Sequence, residues 1–422
     1  MRPGQPREGN RRVRRPGAQP RAGSRGVHGP DRRGGGAVIT SPAGFRAAGV
    51  TAGLKKSGRP DVALVVNDGP LDVAAGVFTS NRVQAAPVLW SRTAVGDGRA
   101  RAVVLNSGGA NACTGPAGFL DTHATAEHVA ELLGVGAGDV LVCSTGLIGE
   151  RLDMPRLLAG IDAAAAALSA DGGEAAAHAI LTTDTVAKQT SQQGPGWSVG
   201  GMAKGAGMLN PALATMLVVL TTDAVVDAEA ADAALRHAVE YSFNRVDSDG
   251  CMSTNDTVLL LVSGASGVVA SPTEFGALLD AACADLARQL VADAEGASHD
   301  IAVTVRGATT ERAALAVARA VTSSNLFKAA VFGNDPNWGR VLAAVGTVPA
   351  DVAPFEADDL DVWMNGVQVA RAGGVGDDRS LVDLTGREVR VVVDLHAGEM
   401  SATVWTNDLT HDYVHENSAY ST

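Results

Sequence analysis

From Val38 onward, short apolar runs alternate with polar and glycine-rich stretches, so order is expected to begin there. Residues 61–68 (DVALVVND) and 74–79 (AAGVFT) predict two strands separated by an Asp-Gly-Pro turn. Ala102–Asn106 and residues 140–143 predict two more buried strands. Between them, residues 121–133 carry helical apolar spacing behind an Asp N-cap. Residues 154–168 predict an Ala-rich helix, and the polar, Gly-rich residues 169–200 predict a loop. Residues 215–226 (TMLVVLTTDAVV) predict a buried strand, followed by a helix over 228–241 and a strand over Thr257–Val262. A long helix over 273–293 carries Leu278, Leu279, Cys283, Leu286 and Leu290 on one face. Residues 301–305 alternate as a strand, and 310–321 predict a helix capped by Thr309 or Thr310. Several alternating strands fill 360–405. Strands and helices are mixed, without the regular cadence of a doubly wound sheet.

Residues 1–36 break this pattern. They hold nine Gly and five Pro, and ten Arg against Glu8 and Asp31. So little apolar surface cannot offset the entropy of ordering, and the segment reads as a disordered extension, 1–37. It lacks the apolar centre of a secretory signal. The net charge of −12 therefore hides a +8 arm on a −20 body. An acidic body argues against docking on nucleic-acid phosphates and against an anionic membrane surface. No run of 18 apolar residues is present, so no membrane span is expected. Cys113, Cys143, Cys251 and Cys283 are widely spaced, as in reduced thiols of a cytoplasmic protein. No H-E-x-x-H or comparable spacing occurs, and no metal is expected.

Four polar or glycine-rich islands interrupt the apolar segments: 106–111 (NSGGAN), 144–149 (STGLIG), 204–217 (KGAGMLNPALATML) and 333–340 (GNDPNWGR). Such loops often build sites on a rigid scaffold. In the third, Lys204 precedes a Gly-x-Gly loop, and Ala214-Thr215 opens into the apolar strand. If the bond before it were cut, the free α-amine of Thr215 could deprotonate its own hydroxyl. Residue type alone is equally served by a strand Thr chosen for β-propensity.

The third island resembles the cleavage and nucleophile motif of the ornithine acetyltransferase family, the glutamate N-acetyltransferases of the arginine pathway. Also similar to that family are 144–149, 182–185 (TTDT), 293–297 (DAEGA), 335–340 (DPNWGR) and the terminal 417–422 (NSAYST). The motifs run in order from about Ser41 to Thr422.

The resemblance implies a two-lobed, layered α/β sandwich around a β core, of N-terminal-nucleophile type. It implies self-cleavage between Ala214 and Thr215, giving an α chain (38–214 after the extension) and a β chain (215–422). Thr215 would take acetyl from N-acetylornithine and pass it to glutamate by a ping-pong scheme. Thr145 and Gly146 would stabilise the oxyanion. Thr182, Lys204, Thr215, Glu295, Asn417 and Thr422 would bind substrate, with Lys204 suited to a carboxylate and Glu295 to the ornithine δ-ammonium. No cofactor is implied. Acetyl-CoA as a second donor is left open by the residues, and we expect the bifunctional form. An (αβ)₂ heterotetramer is expected.

One departure from the family pattern lies beside the site: Gly-Ala-Ser-His299 follows Glu295 where a Thr-Lys pair is expected. His299 is expected at the surface or behind the site rather than as a base. The enzyme alternative is an N-terminal-nucleophile amidase or aminopeptidase, which would hand the acyl group to water. A basic-arm nucleic-acid binder is the non-enzyme alternative.

Overall fold

The computed structural model describes residues 38–208 and 216–419. The basic extension, Ala214, Thr215 and Thr422 therefore lie outside the described residues, and so does the boundary between the two expected chains.

Two sheets stack face to face. The first has four strands in the order Phe45–Val50, Val62–Asn67, Ala102–Asn106, Val140–Ser144. The second has five, in the order Val73–Phe78, Thr257–Val262, Leu217–Thr222, Ser198–Lys204, Lys188–Gln193. Successive side chains point to opposite faces, so the strands covered on both faces read as continuous apolar runs. Leu217 and Val219 face the first sheet, in one cluster with Leu105, Leu141 and Val65. Val218 and Leu220 face the opposite way, against Leu235, Leu279 and Leu286. Those three belong to helices Ala228–Glu240 and Pro272–Ala292, which cover the outer face of the second sheet. Helices Gly115–Leu133 and Met154–Ala166 cover the outer face of the first through Val129, Leu157 and Ile161. The result is a helix–sheet–sheet–helix sandwich.

A second lobe follows. Six strands, with Asp300–Ala308 between Glu388–Asp394 and Met400–Asn407, form a mixed sheet. Helices Glu311–Thr322 and Trp338–Val345 bury Val317, Val321 and Val341 against Ile301, Val303 and Val391. The chain is thus a two-lobed, layered α/β protein. The segments 38–214 and 215–422 do not coincide with its layers, because residues on both sides of the gap supply neighbouring strands of the second sheet.

Two expectations need correction. The helix expected over 121–133 begins six residues earlier, at Gly115, with Pro116 in its first turn. Asp121 is not a cap but a mid-helix carboxylate paired with Arg151 at 2.6 Å. Residues 169–200 are not one loop: they contain helix Gly173–Ala179, strand Lys188–Gln193 and the start of Ser198–Lys204. Lys188–Gln193 (KQTSQQ) is an edge strand with little to bury, and Ser198–Lys204 is rich in small residues, so neither carries an apolar pattern. Of the two places expected for His299, the surface or behind the site, it takes the second: it is buried. The cap of Glu311–Thr322 is Thr310, whose hydroxyl accepts from Ala313 N–H at 3.1 Å.

Candidate active site

The register of the sandwich brings three strand ends together. Lys204 pairs with Leu217, and Leu217 with Thr257. In the other sheet Asn106 pairs with Ser144, so Thr145 and Gly146 leave at an end of that sheet. Lys204 crosses between the sheets: its Nζ donates to the Thr145 hydroxyl oxygen at 3.2 Å. Gly146 sits at φ +133°, and a side chain there would meet Gly109 backbone at 2.9 Å. Only glycine satisfies both constraints.

Lys204 is buried and belongs to a charged cluster. Asp184 lies 4.0 Å from it, and accepts from Lys188 Nζ at 2.7 Å, Gly205 N–H at 2.6 Å and Thr182 N–H at 3.0 Å. Lys188 also donates to Asp293 at 2.6 Å. Asp293 in turn takes the amide of Thr185 at 3.0 Å and its hydroxyl. Burial alone would raise the Asp184 carboxyl. The charges of Lys204 and Lys188, with the bonds from Lys188 and Thr182, hold it below the ordinary carboxylate range. Burial lowers Lys204, opposed mainly by Asp184.

Above this cluster opens a cavity of about 1220 Å³. Of the expected site residues, Gly146, Thr182, Glu295 and Asn417 line it. Thr145 and Lys204 are buried and joined to it through Gly146 and Asp184. Glu295 is placed by its own N–H, which donates to Ala206 O at 2.9 Å, and accepts from Asn417 Nδ2 at 2.9 Å. Asn417 stands on the terminal helix His411–Ala419, which passes so close to Gly296 that a side chain there would lie 2.2 Å from Tyr413 N. Residues 335–340 do not line the cavity: Asn337 caps helix Trp338–Val345 instead.

The departure after Glu295 has a structural role. Asp408 accepts the amides of Ser298 and His299, both at 2.9 Å, and His299 Nδ1 lies 2.7 Å from it. Leu384 O lies 2.9 Å from the other ring nitrogen. With both ring nitrogens engaged, His299 braces the turn that carries Ser298 into the cavity.

Sequence reasoning missed a second group of charged residues on the lining. Lys55 and Arg59 line the cavity on the loop before the second strand. That loop is fixed by the buried Asp61, whose carboxylate accepts Ala52 N–H and Leu54 N–H at 2.6 Å and Lys55 N–H at 3.0 Å. Burial and the charge of Arg59 lower Lys55 to about 8, opposed by Asp61. The signal was visible as KKSGRPD, a basic run closed by an acid before an apolar strand. The cavity thus carries cations at Lys55, Lys56, Arg59 and Arg387 and carboxylates at Glu150, Asp293, Glu295, Asp412 and Glu416.

The ArgJ family model matches residues 46–422. The chain belongs to the ArgJ family. It is 62% identical over 383 residues to the arginine biosynthesis bifunctional protein ArgJ of Streptomyces coelicolor, covering 91% of this chain and 99% of that protein. The protein of the same description from Thermobifida fusca is also 62% identical, over 384 residues, with 91% of this chain and 100% of that protein covered. A crystal structure of ornithine acetyltransferase complexed with ornithine, from Mycobacterium tuberculosis, is 57% identical with a TM-score of 0.41, covering 43% of this chain and 97% of that one. Among the described residues, no helix is long and apolar enough to cross a membrane.

Proposed function

We propose that the chain is an acetyltransferase of arginine biosynthesis. It moves acetyl from N2-acetylornithine to glutamate through an ester on Thr215, after cutting itself between Ala214 and Thr215. The observation that carries this reading is the cavity with Gly146 at its base and opposite charges on its walls. Both substrates are amino acids whose tails end in charge, an ammonium on one and a carboxylate on the other. A desolvated site holding both signs accepts these tails and rejects analogues that lack them.

The chemistry follows from the buried groups. Because Lys204 donates to the Thr145 oxygen, the Thr145 hydroxyl hydrogen is left to point elsewhere. Together with the Gly146 N–H it supplies two donors for the oxyanion formed when Thr215 attacks the acetyl carbonyl. Glu295 receives the δ-ammonium of ornithine, and Thr182, Asn417 and Thr422 complete the grip. Splitting the exchange into two acyl transfers lets one site serve both half-reactions. The working form is an (αβ)₂ heterotetramer of 38–214 and 215–422 chains in the cytoplasm, needing no cofactor and no nucleic acid. Residues 1–37 are dispensable to it. Acetyl-CoA serves as a second donor to glutamate.

The test is an acetyl-transfer assay with N2-acetylornithine and acetyl-CoA as separate donors, on wild type and Thr215→Ala. Wild type should transfer from both and show two bands on a denaturing gel, the second beginning at Thr215. The Thr215→Ala protein should remain one band and transfer nothing. Acetate release exceeding acetylglutamate formation at saturating glutamate would overturn the transferase assignment.

A further inference from the structure

Lys55, Lys56 and Arg59 stand on the loop before strand Val62–Asn67, and all three line the cavity. In a body of net charge −20, cations ordinarily find carboxylates. Arg46 meets Asp68 at 2.5 Å and Arg151 meets Asp121 at 2.6 Å. Arg387, which also lines the cavity, meets Asp300 at 3.0 Å. The loop cations pair with no carboxylate among the described residues. Lys55 Nζ donates to carbonyl oxygens, of Pro60 at 2.9 Å and of Leu181 at 2.5 Å. Arg59 donates from Nη2 to Thr182 O at 2.8 Å. The Lys56 ammonium meets no partner among the described residues, and Lys56 is exposed. Like charges gathered in this way repel one another, and the charge of Arg59 adds to burial in lowering Lys55. An anion placed among them would relieve that repulsion.

The loop also offers backbone donors. Gly58 N–H donates to Lys55 O at 3.2 Å, with Gly58 at φ +71°, so residues 55–58 form a tight turn. Inside it, the amides of Lys56 and Ser57 donate to no backbone group among the described residues. Turn amides beside cations make a concavity suited to phosphate oxygens.

The two amino-acid substrates leave part of this group unused. Lys204 suits a carboxylate, Glu295 the δ-ammonium, and the half-buried Lys55 the side-chain carboxylate of glutamate. Lys56 and Arg59 remain, both exposed. Space remains as well. Pockets of roughly 300–1,000 Å³ hold drug-sized ligands, and both amino acids are smaller than those, yet the cavity measures about 1220 Å³.

We propose that Lys56, Arg59 and the amides of the 55–58 turn form a phosphate-binding subsite, which takes the diphosphate of coenzyme A when acetyl-CoA is the acyl donor. The proposal rests on the reading of acetyl-CoA as a second donor. A ligand of this length carries its thioester to the reacting end while its phosphates stay among the exposed cations, and it fills volume that the amino acids leave empty. Arg59 spends one N–H on Thr182 O and keeps its other donors for phosphate oxygens. N2-acetylornithine carries no phosphate, so the two donors differ in what they need from the loop.

The experiment titrates coenzyme A into wild type and Lys56→Ala, as full 422-residue chains, by calorimetry. KM and kcat are measured in parallel for acetyl-CoA and for N2-acetylornithine. Alanine removes an ammonium that the fold does not use, so the unfolding midpoint should stay in place. The Kd for coenzyme A and the KM for acetyl-CoA should each rise about tenfold, the effect of one lost hydrogen bond to a charged group. Both constants for N2-acetylornithine should stay at their wild-type values, and Lys56→Arg should restore coenzyme A binding. Dephospho-coenzyme A keeps the diphosphate but lacks the ribose phosphate, and should lose the same factor. A loss confined to coenzyme A itself would overturn the diphosphate assignment. Wild type that binds no coenzyme A, an equal Kd in the two proteins, or an equal rise in KM for both donors would overturn the subsite. Wild type that binds coenzyme A with this dependence on Lys56, yet moves no acetyl from acetyl-CoA, would remove the donor reading and keep the subsite, which separates the two failures.

Discussion

Charges beneath the cavity and charges on its walls obey different rules. Beneath it, the side chains of Lys188 and Asp184 are fully buried and bonded to each other. On the walls, Lys55, Arg59, Glu295 and Asn417 keep part of their surface in the opening. Burial turns a charge into scaffold, because its partners must already be present when water leaves. Exposure leaves a charge free to meet a ligand, at the cost of holding little of the fold together.

The largest expected effect is on the scaffold. Lys188→Met keeps the length of the side chain but leaves Asp184 and Asp293 facing each other without their shared cation. Breaking a buried pair in this way costs about 3–5 kcal/mol. Denaturant unfolding should show that loss, with transfer activity falling alongside it. A change below about 1 kcal/mol, the scale of exposed ion pairs, would mean that the cluster is not the scaffold described.

The two classes of charge were not equally legible in the sequence. Thr145, Gly146, Thr182, Lys204, Glu295 and Asn417 stood in motifs, and the structure gathers them at one cavity and the cluster beneath it. Lys188, Lys55 and Arg59 did not, because what gives them meaning is a partner far along the chain. Asp293 lies 105 residues from Lys188, and Lys55 Nζ donates to Leu181 O, 126 residues away. The fold divides similarly. Thr257–Val262 is buried on both faces and reads as a strand from composition alone. Lys188–Gln193 is held by pairing with Ser198–Lys204, not by anything it buries, so polar composition hid it.

A smaller effect should separate the substrates. Lys55→Met removes a cation from the wall while Arg59 stays, held to Thr182 O at 2.8 Å. The KM for glutamate should rise on the order of tenfold, the low end for a hydrogen bond to a charged group. The KM for N2-acetylornithine, whose tail is cationic, should not rise. Because Lys55 lies near 8, its positive charge is present below that pH and lost above it. In wild type, then, the glutamate KM should climb as the pH passes 8, and the step should vanish in Lys55→Met. Equal changes for both substrates would mean that Lys55 acts on the loop and not on the ligand.

The smallest effect belongs to the outermost contact. Asn417 donates to Glu295 Oε2 at 2.9 Å, and also to Tyr413 O at 3.0 Å within its own helix. Asn417 is exposed, so water can replace it at Glu295 with little net loss to the fold. Asn417→Ala should therefore leave the unfolding midpoint unmoved. What it removes is the orientation of one carboxylate oxygen. Glu295 itself stays placed by its backbone bond to Ala206. The N2-acetylornithine KM should rise only a few-fold, with kcat and the glutamate KM unchanged. A loss of kcat instead would show that the terminal helix shapes the reacting end of the cavity, and the contrast between buried scaffold and replaceable wall would then fail at the rim, where exposure should have made a side chain least consequential.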